Sequence, residues 1–219
     1  MSCKISCISD THGLHDQMDL DSFPGGDLLI HSGDCTNIGE ARDLFGLNFW
    51  FKKLKKKYKR IILVPGNHDW ICQDDIGFVR SVMPNCDILL DDTLVIDGLK
   101  IYGSPWSPRF FDWAFNVDRG PKIARKWALI PDDVDVLITH GPPFGIGDLN
   151  KPPLPELPEH VGCRDLTQRI ANLKNLKLHV YGHVHGGWGK VKVNGVWYIN
   201  ASTCTEKYKP TNLPIGVEL

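Results

Sequence analysis

Seven side chains with metal-ligating chemistry stand at the ends of apolar runs: Asp10, His12, Asp34, Asn67, His140, His183 and His185. The five segments that carry them share one pattern. KISCISDTH (Lys4 to His12), DLLIHSGD (Asp27 to Asp34), RIILVPGNHD (Arg60 to Asp69), DVLITHGPP (Asp135 to Pro143) and LHVYGHVH (Leu178 to His185) each pass from an apolar stretch into a polar tip. Mixed imidazole, carboxylate and amide donors suit Mn²⁺, Fe or Zn²⁺ better than Ca²⁺ or an all-oxygen Mg²⁺ site. In an extended chain, residues i and i+2 point to the same side, about 6.6 Å apart. Asp10 can therefore face one site with His12, and His183 with His185. Alone, D-x-H or H-x-H says little, because a single histidine is more often a hydrogen-bonded core residue. Five such tips in one chain are far more specific.

The charge balance indicates what would bind. Two divalent ions bring four positive charges, and ionised Asp10 and Asp34 return two, so an anion such as phosphate is attracted. Two ions about 3.5–4 Å apart clamp a phosphoryl group and lower the pKa of a bridging water to make a nucleophile. His68, next to the ligand Asn67, is free to give a proton to the leaving oxygen.

Such tips must be brought together by strands lying side by side, whose edge is where α/β folds bind ligands. The spacing of Leu44, Leu47, Phe51 and Leu54 predicts a helix over Glu40 to Tyr58. Further helices are expected at Asp75 to Met83, within Val117 to Ile130 with a break near Gly120-Pro121, and at Cys163 to Leu173. Asp97-Gly98 and Asn194-Gly195 mark hairpins over Leu94 to Tyr102 and Lys190 to Asn200. Strands alternate with helices early and pair as hairpins later, so a mixed α/β sheet, or two packed sheets flanked by helices, is expected. The proline-rich stretch Gly141 to Pro158 begins at His140 and reads as a stiff functional loop rather than a linker. Residues 1–219 are read as one domain.

Composition narrows the class. A chain of 219 residues, 42% hydrophobic and with net charge −1, is long enough for a substantial core and lacks the basic excess of a dedicated duplex-binding protein. No segment approaches the roughly 20 apolar residues of a membrane helix, and the N-terminus is used as a strand rather than a signal peptide. Seven scattered cysteines without C-x-x-C fit a reducing, cytoplasmic setting. The run Lys52, Lys53, Lys55, Lys56, Lys57, Lys59 and Arg60 reads as a solvated helix end favourable to the dipole, in preference to a nucleic-acid or membrane patch.

The order D-x-H, GD (Gly33, Asp34), GNH[DE] (Gly66 to Asp69), His140 and GHxH (Gly182 to His185) resembles the calcineurin-like metallophosphoesterases. YGSPW (Tyr102 to Trp106), THGPP (Thr139 to Pro143), VGC (Val161 to Cys163) and INASTC (Ile199 to Cys204) resemble a branch with cyclic-nucleotide phosphodiesterase activity. The resemblance implies a two-sheet β-sandwich flanked by helices, a four-layer fold. It also implies that Asp10, His12 and His185 hold one metal and Asn67, His140 and His183 the other. Asp34 would bridge both, and His68 would be the general acid. Some animal relatives carry Gly where this chain has His183, so a complete dinuclear site is expected here. One position departs: many members carry an Asp three residues after the GD aspartate to orient the catalytic histidine, and here it is Asn37. Either Asn37 or Asp69 could take that role, Asn37 without a carboxylate's effect on basicity.

These readings point to a phosphodiesterase acting on small phosphodiesters, with two divalent ions, Mn²⁺ foremost. A phosphomonoesterase or a nucleotide-binding scaffold with an inactive metal site is the alternative. Trp106, Phe110, Phe111 and Trp113 either stack a nucleotide base or pack a loop of their own. Arg109 either meets the phosphate or is an ordinary surface residue. VDRG (Val117 to Gly120) lacks the context of a phosphatase motif and reads as a turn. Cys204 reads as structural.

Overall fold

The computed structural model describes residues 2–150 and 159–219; the part of the proline-rich stretch at 151–158 lies outside the described residues. In chain order the elements are β1 (Lys4–Ile8), β2 (Gly26–His31), α1 (Ala41–Leu54), β3 (Tyr58–Leu63), α2 (Trp70–Asp74), α3 (Ile76–Val82), β4 (Asp87–Ile88), β5 (Asp92–Ile96) and β6 (Leu99–Ser104). There follow β7 (Ser107–Pro108), β8 (Asn116–Val117), α4 (Pro121–Trp127), β9 (Val136–Thr139), β10 (Leu149–Asn150), β11 (Glu159–His160) and α5 (Arg164–Ile170). The last are β12 (Leu178–Tyr181), β13 (Gly189–Val193), β14 (Val196–Asn200) and β15 (Ile215–Glu218).

Two sheets dominate, in the orders β15-β1-β2-β3-β4 and β13-β14-β12-β9-β6-β5. Within the first, β1 to β4 run parallel and β15 closes one edge antiparallel. In the second, β6, β9, β12 and β14 are parallel, with antiparallel hairpin partners at both edges. Strand alternation explains the layering, because successive side chains face opposite sides. Ile5, Cys7, Leu28 and Ile30 of the first sheet meet Val136, Ile138, Leu178 and Val180 of the second in a core between the sheets. Leu29, Ile61 and Leu63 face the other way, onto Leu44, Leu47, Trp50, Phe51 and Leu54 of α1. Tyr102, Leu137 and Tyr181 face Ile123 and Trp127 of α4 and Leu166 and Ile170 of α5. The result is the four-layer sandwich, helices outside and two sheets within.

The elements match the expected pattern with shorter helices. Helix α1 stops at Leu54 rather than Tyr58 because Tyr58 already pairs with Gly26 in the sheet. Asp75 caps α3 by accepting the Phe78 N–H at 2.9 Å, and Pro121 opens α4, where its missing N–H costs nothing. Both hairpins turn on residues in the left-handed region, Asp97-Gly98 (φ 49° and 83°) and Asn194-Gly195 (φ 50° and 87°). All seven cysteines are free thiols. Burial pushes the Cys204 thiol up to about 12, in keeping with a structural role.

The five tips do not share one sheet edge. Those after β1, β2 and β3 belong to the first sheet, and those after β9 and β12 to the second. They meet because both sheets present the carboxyl ends of parallel strands on the same side of the sandwich.

Candidate metal centre

Three of the five tips, those after β1, β2 and β12, turn sharply out of the strand. Asp10 (φ 51°), His12 (45°), Asp34 (53°) and His183 (68°) all lie in the left-handed region. Asp, Asn and His enter that region more readily than other side chains, but four in one cluster is unusual. Strain of this kind persists where the surroundings enforce it, and it concentrates at functional sites. The glycines beside the ligands are required by close approach. A Cβ at Gly66 would stand 2.3 Å from an Asp34 carboxylate oxygen, and one at Gly182 would stand 2.1 Å from an Asp10 oxygen.

The structure brings all seven expected ligands and His68 together. Three groups of donor atoms could each hold a metal ion: Asp10, His12 and His185; His12, Asp34 and His68; and Asp34, His140 and His183. In each group the donor atoms lie within 4.8 Å of one another. Asn67 joins the last group through its Oδ1, 2.9 Å from His140 Nε2. His12 is shared by the first two groups and Asp34 by the last two, so Asp34 lies between the Asp10–His12–His185 donors and the His140–His183 donors, where a bridging carboxylate would stand. Nitrogen faces nitrogen at 3.2 Å both between His12 Nε2 and His185 Nε2 and between His183 Nδ1 and His140 Nε2. Converging buried nitrogens with two carboxylates between them form a donor set that divalent ions fit.

Main-chain carbonyls fix how three of the rings point. His140 Nδ1 is 3.0 Å from the Ser32 carbonyl, His185 Nδ1 3.1 Å from that of Thr205, and His68 Nδ1 2.6 Å from that of Asn37. With Nδ1–H donated to a carbonyl, Nε2 is left to face the site, as is usual for metal-binding histidines. Asp10 is fixed by the His183 N–H at 3.0 Å and the Ser202 hydroxyl at 2.9 Å.

Electrostatics keep both carboxylates charged. Burial opposes ionisation of Asp10, but His185, His140 and His12 outweigh it and hold its carboxyl well below the usual range. Asp34 behaves alike, depressed against burial chiefly by His140. Burial pulls on His140 too, yet Asp34 and Asp10 raise it to about 9, whereas burial and His140 lower His183 to about 4. The pocket is therefore built for cations.

His68 is oriented by the Asn37 main chain, not by the Asn37 side chain and not by Asp69. Its ring is stacked on Trp113 with centroids 4.2 Å apart, and its Nε2 lies 3.9 Å from Asp34 Oδ2. Asp69 is buried and turned the other way. It accepts from the N–H of Gly66 (2.8 Å), the N–H of Thr36 (2.9 Å) and the Thr36 hydroxyl (2.8 Å), so it ties the GD turn to the GNHD turn.

Of the three residues expected at the substrate, only Trp113 borders the cluster. The Trp106 indole N–H donates to Asp91 at 2.7 Å, and Lys126 covers the ring at 3.6 Å. Arg109 pairs with Asp118 at 2.8 Å and Asp112 at 3.0 Å. Trp106 is thus tied to the turn before β5 and to α4, and Arg109 to its own loop. A cleft of about 490 Å³ opens beside His183 and His185, lined among others by Phe110, Arg119, Glu206 and Tyr208. Arg119, in the VDRG turn, donates to the Gly162 carbonyl at 2.8 Å and to the Val161 carbonyl at 2.6 Å. Sequence reading missed Tyr208, whose ring stands 4.9 Å from His12 and 5.2 Å from His185. It also missed Thr205. Neither lies in a motif, and only the loop after β14 brings them to the site.

The profile of the family described as Calcineurin-like phosphoesterase matches residues 3–187. Human Metallophosphoesterase domain-containing protein 1 is 39% identical over 239 residues, covering 99% of this chain and 71% of that protein. A UPF0046 protein of Caenorhabditis elegans is 36% identical over 229 residues, covering 97% of this chain and 79% of the relative. One solved crystal structure, 19% identical, shares the fold with a TM-score of 0.63 over 91% of this chain and 90% of its own.

Proposed function

This chain belongs to the calcineurin-like phosphoesterases, and on that premise we propose that it is a phosphodiesterase for small phosphodiesters, cyclic nucleotides among them. The family consists of phosphoric ester hydrolases that use a dinuclear divalent metal site, and the His/Asp cluster is compatible with one. In our reading Asp10, His12 and His185 hold one ion and Asn67, His140 and His183 the other, with Asp34 between them. The observation that carries this reading is the position of Asp34, grouped with His12 on one side and with His140 and His183 on the other, with His68 beside it. When bound, the ions supply positive charge that polarises the phosphoryl group and lowers the pKa of water; Mn²⁺ is the proposed ion, with Fe or Zn²⁺ next.

The chain's own residues do the rest. His68 donates its Nδ1–H to the Asn37 carbonyl, which turns Nε2 toward the site; in the imidazolium form the second proton, on Nε2, is the one delivered to the leaving oxygen. Trp113 keeps the ring plane fixed. The cleft between Phe110 and Tyr208 leaves room for a second ester substituent, which favours a diester over a monoester. Trp113, Phe110 and Tyr208 are the proposed substrate contacts, with Trp106 and Arg109 supporting the loop that carries Phe110. Residues 1–219 are read as one catalytic domain, since both sheets contribute to the same cluster. The seven free thiols support a reducing, cytoplasmic setting.

The test uses the purified protein with Mn²⁺ on bis-p-nitrophenyl phosphate, p-nitrophenyl phosphate and 2′,3′- and 3′,5′-cyclic nucleotides. Turnover of diesters above the monoester is expected. Preference for the monoester reassigns the protein as a phosphatase. No turnover with any added divalent metal leaves a binding or scaffold protein in its place.

A further inference from the structure

Helix α1 is apolar on both sides, and only one side is covered. Leu44, Leu47, Trp50, Phe51 and Leu54 are buried against the first sheet. Phe45 and Phe49, one turn apart on the outer side, are 57% and 58% exposed, and Ile38 just before the helix is 51% exposed. At about 100° per residue, Phe45, Phe49 and Lys52 fall within about 60° of one another, directly opposite the buried set. A solvated outer helix face is ordinarily polar, and neighbouring exposed apolar side chains mark an interaction surface more often than isolated ones do.

The stripe continues into positive charge. Lys57, Lys59 and Arg60 are paired with Asp21, Asp27 and Asp87. Lys52, Lys53, Lys55 and Lys56 are exposed and, among the described residues, have no carboxylate partner; Lys53 Nζ lies 4.7 Å over the Phe49 ring. Cations suit the end of a helix dipole, but that accounts for neither the number of lysines nor the two phenylalanines. The chain as a whole carries net charge −1, so this is a local concentration of charge rather than a general excess.

We propose that the outer face of α1 docks on an anionic lipid bilayer, with Phe45 and Phe49 seated among the headgroups and Lys52, Lys53 and Lys56 against their negative charge. Aromatic anchors flanked by lysines on one helix face are the composition of interfacial helices. At 14 residues, α1 is about 21 Å long, enough to lie on a surface and too short to cross it. The face is convex, which suits a bilayer that yields around inserted rings; a single-stranded nucleic acid is bound in grooves lined by stacking aromatics. Neither Ile38 nor any residue of α1 lines the cleft beside His183 and His185, so docking leaves that cleft open.

The test is co-sedimentation of the full chain with phosphatidylcholine vesicles, with and without about a third phosphatidylserine, at low and high salt. Binding to the anionic vesicles that falls with salt is expected. Phe45→Ser with Phe49→Ser should weaken it about tenfold or more, and each Lys→Gln change at 52, 53 or 56 about fivefold. All these side chains are exposed and outside the proposed catalytic machinery, so hydrolysis of bis-p-nitrophenyl phosphate in solution should stay at the parent level and verify folding. The proposal is overturned by absence of sedimentation, by equal binding to neutral vesicles, or by phenylalanine variants that bind as the parent does. It is likewise overturned if the same variants abolish self-association or oligonucleotide binding while vesicles are not bound.

Discussion

The main-chain oxygen of Asn37 lies 2.6 Å from Nδ1 of His68. A carbonyl gives the ring direction and tautomer without the charge a carboxylate would add, and it does so whatever side chain stands at position 37. Asn37→Ala should therefore change kcat for bis-p-nitrophenyl phosphate by less than about threefold, because the bond is to backbone. His68→Ala should lower kcat by about 10²–10⁴, the usual range for a lost general acid, while metal content measured by plasma mass spectrometry is unchanged. A large loss in Asn37→Ala would show that the amide, not the carbonyl, matters. Loss of metal in His68→Ala would make His68 a ligand.

The second relationship is the shared position of Asp34 between two donor groups. If it bridges, its loss should affect both ions, whereas loss of His183 should affect one. We expect about two Mn²⁺ per chain in the parent, about one in His183→Ala and fewer than one in Asp34→Asn. Titration calorimetry on chelator-stripped protein reads this directly. Equal stoichiometry in both variants would separate Asp34 from the bridging role.

How much of this was legible follows from what makes each feature. The strand tips could be read because apolar runs with polar ends are local, and the two hairpins because Asp-Gly and Asn-Gly are local turn signals. Which apolar residues face the second sheet (Leu28, Ile30) and which face α1 (Leu29) was not legible, because these runs are buried on both sides. The division of the five tips between two sheets was not visible in local pattern, since it depends on which strands pair. Asp69 and Asn37 could not be told apart by position: one is turned into the fold by donors from Gly66, Thr36 and Cys35, and the other acts through its carbonyl. Trp106 and Arg109 have the right chemistry for a substrate, but Asp91, Lys126, Asp112 and Asp118, which meet them in three dimensions, already occupy them. Phe45 and Phe49 fell outside the helical pattern of the buried residues and so passed unremarked.

Gly66 gives a packing test of the centre. A Cβ there would meet Asp34 Oδ1 at 2.3 Å and His140 Cε1 at 2.7 Å, both fixed by other bonds. Gly66→Ala should cost about 1–3 kcal/mol of stability, as overpacking does, and lower metal content with it. A variant with parent-like melting and parent-like metal would mean that the two turns have slack that the geometry does not suggest.

Two buried histidines outside the donor set predict an acid limit. His179 donates from Nε2 to Thr139 at 2.8 Å, and its Nδ1 is buried without a partner; His31 is bonded to Thr11 at 2.9 Å and to the Gly33 N–H at 3.3 Å. Burial lowers both to about 3 from an ordinary 6.5. The unfolded chain takes up protons that the folded chain refuses, so the contribution of these two residues to stability is complete above pH 6.5 and falls progressively toward pH 3. Each histidine contributes about 1.4 kcal/mol per pH unit inside that window. Metal-free protein in urea should lose stability between pH 6 and pH 5, and His179→Gln should remove about one proton from that slope. An unchanged slope would show that His179 is protonated in the folded protein.

Tyr208 is held at φ 52°, where a bulky side chain is rare, and its ring lies against His12 and His185 at the mouth of the cleft. Such a backbone costs on the order of 1 kcal/mol or more, which the fold tolerates only if other contacts hold the loop in place. The Thr205 carbonyl on His185 Nδ1, at 3.1 Å, is one such contact in the same turn. Tyr208→Gly removes both the strain and the ring, so the melting temperature should change little while KM for bis-p-nitrophenyl phosphate rises about fivefold, the value of one aromatic contact. Tyr208→Phe should restore KM, because the ring face rather than the hydroxyl meets the substrate. A fall in kcat at constant KM would instead mean that the ring acts by holding His12 and His185, and a Tyr208→Phe variant as impaired as Tyr208→Gly would assign the effect to the hydroxyl.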